Sequence, residues 1–358
     1  MIRLRHRLTI GATAAAFLMP ACRDSARNGT RTDGLAVAPA TAPRMLVYVT
    51  NEESNDVSVI DATTDSVIRT VPVGKRPRGI RVTPDGREVL VAVSGSPRGG
   101  PGIDESKLGP ADKQADGIVV IDAGTLAPVR RLPGGSDPET FAITPDGRTV
   151  IVANEDAATA SLIDITASRV VASLRVGGEP EGVAVAPDGS RALVTSEALG
   201  QVSVITFSPP AVAATIAVGK RPRAAIFSPD GRSVYVSAEN GALVSVIDVA
   251  SMRVDREIAI SAPGAKPMGL ALSANGARLY VSTGRGGSIA VIDTQTDSVI
   301  ASVPVGGRPW GIGLTPDGAK LYSANGSAND VAVIDTRSLR VVKHIATGKG
   351  PWGIALSR

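Results

Sequence analysis

One turn recurs through this chain. It reads Thr, Ser or Ala followed by Pro-Asp-Gly or a near relative, with its glycine at Gly86, Gly147, Gly189, Gly231, Gly276 and Gly318. The gaps are 61, 42, 42, 45 and 42 residues. A nearly fixed period limits the fold more than any composition does, because each repeat must be one unit that buries its faces against its neighbours. The first copy, Met45 to Gly86, holds four short runs: Leu46–Val49, Val57–Ile60, Val67–Val71 and Gly79–Val82. They are rich in β-branched residues, and Gly, Pro, Asn and Asp punctuate them, as in strands and turns. No window keeps a helical apolar period. Four antiparallel strands per repeat are the pattern of a propeller blade.

Counting copies predicts an all-β, seven-bladed β-propeller. The chain enters at the second strand of blade 1, Leu46, and its last run, Trp352 to Ser357, matches Arg78 to Thr83, the inner strand of blade 2. The C-terminal strand is therefore expected to complete blade 1, closing the ring without a free inner edge.

The residues that carry these repeats resemble a known family. Tyr48-Val49-Thr50-Asn51, the Val-Ser-Val-Ile-Asp runs, the Val-Pro-Val-Gly runs and the Pro-Asp-Gly turns are similar to the YVTN-repeat β-propellers, which include YncE-like and lactonase-like seven-bladed proteins. The resemblance covers about residues 45–358. A narrower likeness is to the propellers associated with PQQ-dependent catabolism. It rests on Lys75-Arg76-Pro77-Arg78-Gly79, Asp137-Pro138-Glu139, Ala153-Asn154-Glu155-Asp156, Glu179-Pro180-Glu181-Gly182-Val183, Arg221-Pro222-Arg223 and Pro351-Trp352-Gly353. The resemblance implies the fold, and it implies a periplasmic accessory protein beside quinoprotein dehydrogenases with no established chemistry. A fold alone does not argue for an activity.

At the N-terminus Arg3, Arg5 and Arg7 precede an apolar run from Leu8 to Met19. That pattern predicts a signal peptide over residues 1–21, too short to span a membrane as a helix. The one cysteine, Cys22, follows it. Met19-Pro20-Ala21-Cys22 resembles a lipobox, with Ala21 matching and Met19 and Pro20 departing. Lipidation at Cys22 is set against ordinary cleavage beside an incidental cysteine. Residues 22–44 lack periodicity and read as a flexible linker, with a span of about 25 Å. The expected location is the periplasm or cell envelope, with membrane contact only through a lipid anchor. A lone cysteine forms no disulfide within the mature chain. The net charge is +4, and the three leader arginines supply most of it, so basicity is poor support for nucleic-acid binding.

The only histidine beyond the leader is His344, on an expected outer strand. No Cys–His pair, haem-attachment motif or Ser-His-Asp set can be built. Neither a cofactor nor a resident metal is expected, and the chain is expected to be a monomer.

Alignment of the repeats places one loop face in register. The residue after the loop proline reads Arg78, Glu139, Glu181, Arg223, Met268, Trp310 and Trp352 from blade 2 round to blade 1. The residue before it reads Arg76, Asp137, Glu179, Arg221, Lys266, Arg308 and Gly350. The equivalent loop position between the second and third strands reads Glu52, Ser94, Glu155, Glu197, Glu239, Gly284 and Gly326. Blades 3 and 4 pool carboxylates, blades 2 and 5 flank them with arginines, and blades 6, 7 and 1 present Met268 and both tryptophans. Two readings follow. The charges neutralise one another across blades and the tryptophans fill gaps, or a polar half-ring faces an aromatic half-ring over a ligand pocket. The candidate binding residues are Arg76, Arg78, Arg81, Glu139, Glu155, Glu181, Glu197, Arg223, Trp310 and Trp352. As loop residues, Arg78 and Trp352 are expected to cost little stability when truncated.

Three further features are readable. Arg81 stands where the other inner strands carry Ala142, Ala184, Ile226, Ala271, Gly313 and Ala355, so its guanidinium should enter the channel and need a partner. Asp61, Asp122, Asp164, Asp248, Asp293 and Asp335 recur too regularly for catalysis and read as turn caps. The 61-residue gap places an irregular insertion between Gly95 and Gly117 on the loop face, as a lid or docking arm.

The leading functional reading is a non-enzymatic cell-envelope propeller that binds a small ligand or a periplasmic protein on this face, as an accessory to a PQQ-dependent system. The alternatives are a metal-assisted lactonase or lyase using the carboxylates of blades 3 and 4, and single-stranded nucleic-acid binding on the tryptophans. Arginines beside the carboxylates disfavour a metal, and the acidic sector disfavours nucleic acid.

Overall fold

The computed structural model describes residues 44–99, 104 and 107–357. The expected signal peptide, Cys22 and the linker up to residue 43 lie outside the described residues. Seven four-stranded antiparallel sheets follow one another. The inner strands of blades 2 to 7 are Ile80–Val82, Pro138–Ile143, Pro180–Val185, Pro222–Phe227, Leu270–Leu272 and Pro309–Leu314, and that of blade 1 is Pro351–Leu356. Each inner strand touches the next, and the last returns to the first. This closes the ring.

The closure is the expected one. Pro351–Leu356 pairs antiparallel with Leu46–Asn51, setting Tyr48 opposite Ala355 and Val49 opposite Ile354. Alternation along each strand sends side chains to both faces of a blade. Seven apolar clusters fill the seven seams. Phe141, Val150 and Val152 of blade 3, for example, pack on Leu90, Ile118 and Leu132 of blade 2. No blade has a core of its own.

In every blade the pairing of third and fourth strands shifts at the same place, as between Val59 and Ile60 and between Val333 and Ile334. Such a bulge adds twist and disrupts a ladder, which suits an exposed outer strand that must not pair with another molecule. The strand-ending aspartates cap their turns as expected. Asp61 accepts the Thr63 amide at 2.7 Å, and Asp335 accepts that of Ser338 at 2.6 Å.

Hydroxyls stitch the seams near the loop face. Thr50 donates to the Arg78 carbonyl at 2.7 Å and accepts from the Gly353 amide at 2.8 Å. Ser237 likewise donates to the Met268 carbonyl and accepts from the Ala224 amide. Ser282 joins the Gly269 amide to the Trp310 carbonyl. These bonds tie the backbone of one rim residue to the blade before it. The backbones approach closely enough that a Cβ on Gly353 would lie 2.4 Å from the Arg78 carbonyl oxygen. Only glycine fits there.

Candidate functional site

The loop face surrounds a cavity of about 820 Å³. It is lined by Arg76, Arg78, Glu139, Glu155, Glu181, Arg223, Trp310 and Trp352 from the expected set. Two expected residues lie elsewhere. Glu197 is buried behind the wall, where it pairs with Arg223 and accepts from Arg221 Nε at 2.6 Å. Arg81 lies below, on the inner strand of blade 2. Lining side chains not in the expected set include Arg98, Asp137, Asp156, Glu179, Arg221, Arg285 and Arg308.

The polar half of the ring is a set of buried ion pairs between blades. Arg78 of blade 2 is 3% exposed and holds Asp137 and Glu139 of blade 3. Glu155 stands 3.7 Å from the same guanidinium. Arg223 of blade 5 holds Glu197 and reaches Glu181 of blade 4 at 3.4 Å. This burial runs against the expectation, drawn from its place on a loop, that truncating Arg78 costs little stability. Burial of that kind makes each pair strongly dependent on both partners. The neutralising reading holds for these pairs.

Asp137, Glu139 and Glu155 bring one carboxylate oxygen each within 4.8 Å of one another. Such a set is of metal-binding size. The Arg78 guanidinium already pairs with all three, so a metal would have to displace an arginine from a buried position. Burial pushes the Glu155 carboxyl above its ordinary value, against the pull of Arg78. Burial also raises Glu181, against the pull of Arg223 and with help from Glu155. Both side chains face the cavity.

The other half of the ring differs in kind. Trp310 and Trp352 stack with centroids 5.7 Å apart and an interplanar angle of 26°. Both are half-buried, so part of each ring meets the cavity. Gly326 makes this possible: a Cβ there would lie 3.1 Å from Trp310 Cδ1. The Arg308 guanidinium lies 4.6 Å from the Trp310 ring centroid, and that of Arg223 lies 5.2 Å away. Among the described residues, Arg308 and Arg285 make no ion pair with a carboxylate. Burial and the charges of Arg285, Arg223 and Arg98 push the Arg308 pKa down, against only Glu239. Arg308 is thus a cation held among cations, over an aromatic face.

Backbone strain marks the same rim. The residue before the loop proline takes positive φ in Arg76 (44°), Asp137 (56°), Glu179 (50°), Arg221 (57°) and Arg308 (49°), and blade 1 fills the position with Gly350 (64°). Left-handed backbone costs a non-glycine residue about 1 kcal/mol or more. Five charged residues keep that geometry where glycine fits without strain.

The insertion borders the cavity as expected. Ser96, Pro97, Arg98, Gly99, Leu108, Gly109 and Ala111 contribute to its wall. Arg76 Nη1 donates to the Ser96 carbonyl at 2.6 Å, Lys75 pairs with Asp112 at 2.8 Å, and Lys113 pairs with Asp156.

Arg285, like Arg98 of the insertion, is a lining cation that repeat alignment misses. It stands one residue past the aligned Gly284, on the short helical turn Gly284–Gly286. The signal available was the loss of the carboxylate from the loop between the second and third strands in blades 6 and 7, where Gly284 and Gly326 stand.

The sequence profile of the YNCE-like beta-propeller family matches residues 130–228 and 230–357. No curated protein matches this sequence. Among solved structures, a protein of unknown function from Desulfotomaculum acetoxidans DSM 771 superposes with a TM-score of 0.74 at 16% identity, over 87% of this chain and 99% of that one. A Bacteroides uniformis protein provisionally named a 6-phosphogluconolactonase gives 0.70 at 17% identity, over 87% and 99%. Hydrazine synthase of Kuenenia stuttgartiensis gives 0.67 at 21% identity, over 78% and 89%. Likeness at these identities concerns the fold alone.

Proposed function

This chain belongs to the YNCE-like beta-propeller family, and from that premise we propose that it is a non-enzymatic binding protein for a small, planar organic anion on its loop face. The observation that carries the reading is the Arg308 guanidinium, without an ion-pair partner among the described residues, beside Arg285 and over the Trp310 ring of the stacked Trp310–Trp352 pair. The tryptophans offer a flat wall to a ring or conjugated system. The arginines offer forked donors to a carboxylate or phosphate. Glu155 and Glu181, whose carboxyls burial raises above their ordinary value, stand on the far wall of the same cavity.

The competing readings need features that this wall lacks. A metal-assisted lactonase needs Asp137, Glu139 and Glu155 free of Arg78. A nucleic-acid platform needs a basic groove, whereas seven carboxylates face seven guanidiniums around this cavity. We place the binding in the cell envelope because of the leader, and beside a PQQ-dependent oxidation system because of the family resemblance.

Calorimetric titration with aromatic mono-, di- and tricarboxylates tests the reading. At least one should bind wild type with an affinity that Trp352→Ala weakens about 30-fold, the effect of losing an anchor of about 2 kcal/mol. Equal binding by both proteins, or no binding by any planar acid, would remove the claim.

A further inference from the structure

Below the rim the seven inner strands carry a single polar side chain. Their lower halves read Ile80-Arg81-Val82, Phe141-Ala142-Ile143, Val183-Ala184-Val185, Ala225-Ile226-Phe227, Leu270-Ala271-Leu272, Ile312-Gly313-Leu314 and Ile354-Ala355-Leu356. All but Arg81 are apolar. At its position four of the other strands hold buried alanines, Ala142, Ala184, Ala271 and Ala355. Arg81 is exposed, on the innermost strand of its blade, which touches the inner strands of the blades on both sides. An exposed side chain there opens into the central channel.

Its hydrogen bonding is incomplete. Nη1 donates to the carbonyl of Ile80 at 2.8 Å. A guanidinium has five N–H donors, and no carboxylate among the described residues lies within ion-pair distance of this one. The surrounding protein lowers its pKa, and no charged group offsets that effect. Water can satisfy the spare donors but leaves the charge uncompensated. The cavity above does not include Arg81, so rim carboxylates do not serve it.

We propose that the central channel is an anion-binding site in which Arg81 holds one small monovalent anion. A single cation neutralises a single charge. An apolar wall favours anions that give up water easily, such as bromide or nitrate, over sulfate or phosphate. The anion faces the lower halves of the inner strands and compensates the only charge those halves carry.

Crystals of the full-length protein soaked in sodium bromide test this by anomalous scattering. A peak within hydrogen-bond reach of the Arg81 guanidinium is expected. Its absence, or peaks only at Arg285 and Arg308, overturns the proposal. In solution, the melting temperature of wild type should rise in sodium bromide relative to sodium gluconate at equal ionic strength. Arg81→Lys keeps a cation and should retain part of the rise, and Arg81→Gln should lose it. A full rise in Arg81→Gln that disappears in Arg308→Gly would put the anion at the rim. That outcome overturns the channel site and leaves the rim reading standing. If Arg81→Gln does not fold, the anomalous map of wild type decides alone.

Discussion

At the scale of single residues, the rim divides by what its charges already have. Arg78 and Arg223 are ion-paired with carboxylates of neighbouring blades, whereas among the described residues Arg308 and Arg285 are not. The carboxyls with raised pKa make the division measurable. Glu181 is protonated more readily in the folded chain than at the ordinary value of 4.5. Between that value and its raised one, the folded state binds more protons than the unfolded state. Stability therefore falls as pH rises through this window. The stability of wild type, measured by denaturant melts from pH 4.5 upward, should carry this downward component, and Glu181→Gln should lack it. A variant with an unchanged pH slope would show that Glu181 is not held protonated.

At the scale of elements, the repeat explains both what could be read from sequence and what could not. The strands, the seam packing and the closing role of Pro351–Leu356 were legible because each depends on the period. The three loop positions were legible because register carries a side chain to the same place in every blade. The depth of Arg78 and Arg223 was not legible. It depends on pairing across seams, such as Arg78 with Asp137, and on the residues Ser96 and Pro97 that lie over the rim. Arg285 was missed because its turn displaces it by one residue from the aligned position. Closure itself makes a direct prediction. Deleting residues 351–358 strips blade 1 of its inner strand and takes Ile354 and Ala355 out of two seams. With no blade cored alone, the truncated protein should lose cooperative melting by calorimetry. A truncated chain with the wild-type transition would contradict ring closure as the source of stability.

At the scale of the whole molecule, the fold presents one differentiated face on an otherwise regular ring. A lipid on Cys22, if attached, would tether that ring to a membrane. If Cys22 carries lipid, Cys22→Ser should move the protein from the membrane fraction to the soluble periplasmic fraction, and wild type already found in the soluble fraction would refute the anchor. The central claim is that stability and binding lie on different arcs of one rim. Arg78→Ala leaves buried Asp137 and Glu139 without their cation, a loss of about 3–5 kcal/mol. Arg308→Gly removes an unpaired cation and a strained backbone together, so stability should change by no more than about 1 kcal/mol. The most direct measurement takes melting temperature and affinity for the best planar acid on the same preparations of these two variants. The account predicts a lowered melting temperature for Arg78→Ala, and for Arg308→Gly a near-native melting temperature with binding weakened at least tenfold. Native affinity in Arg308→Gly, or a stable Arg78→Ala, would contradict it.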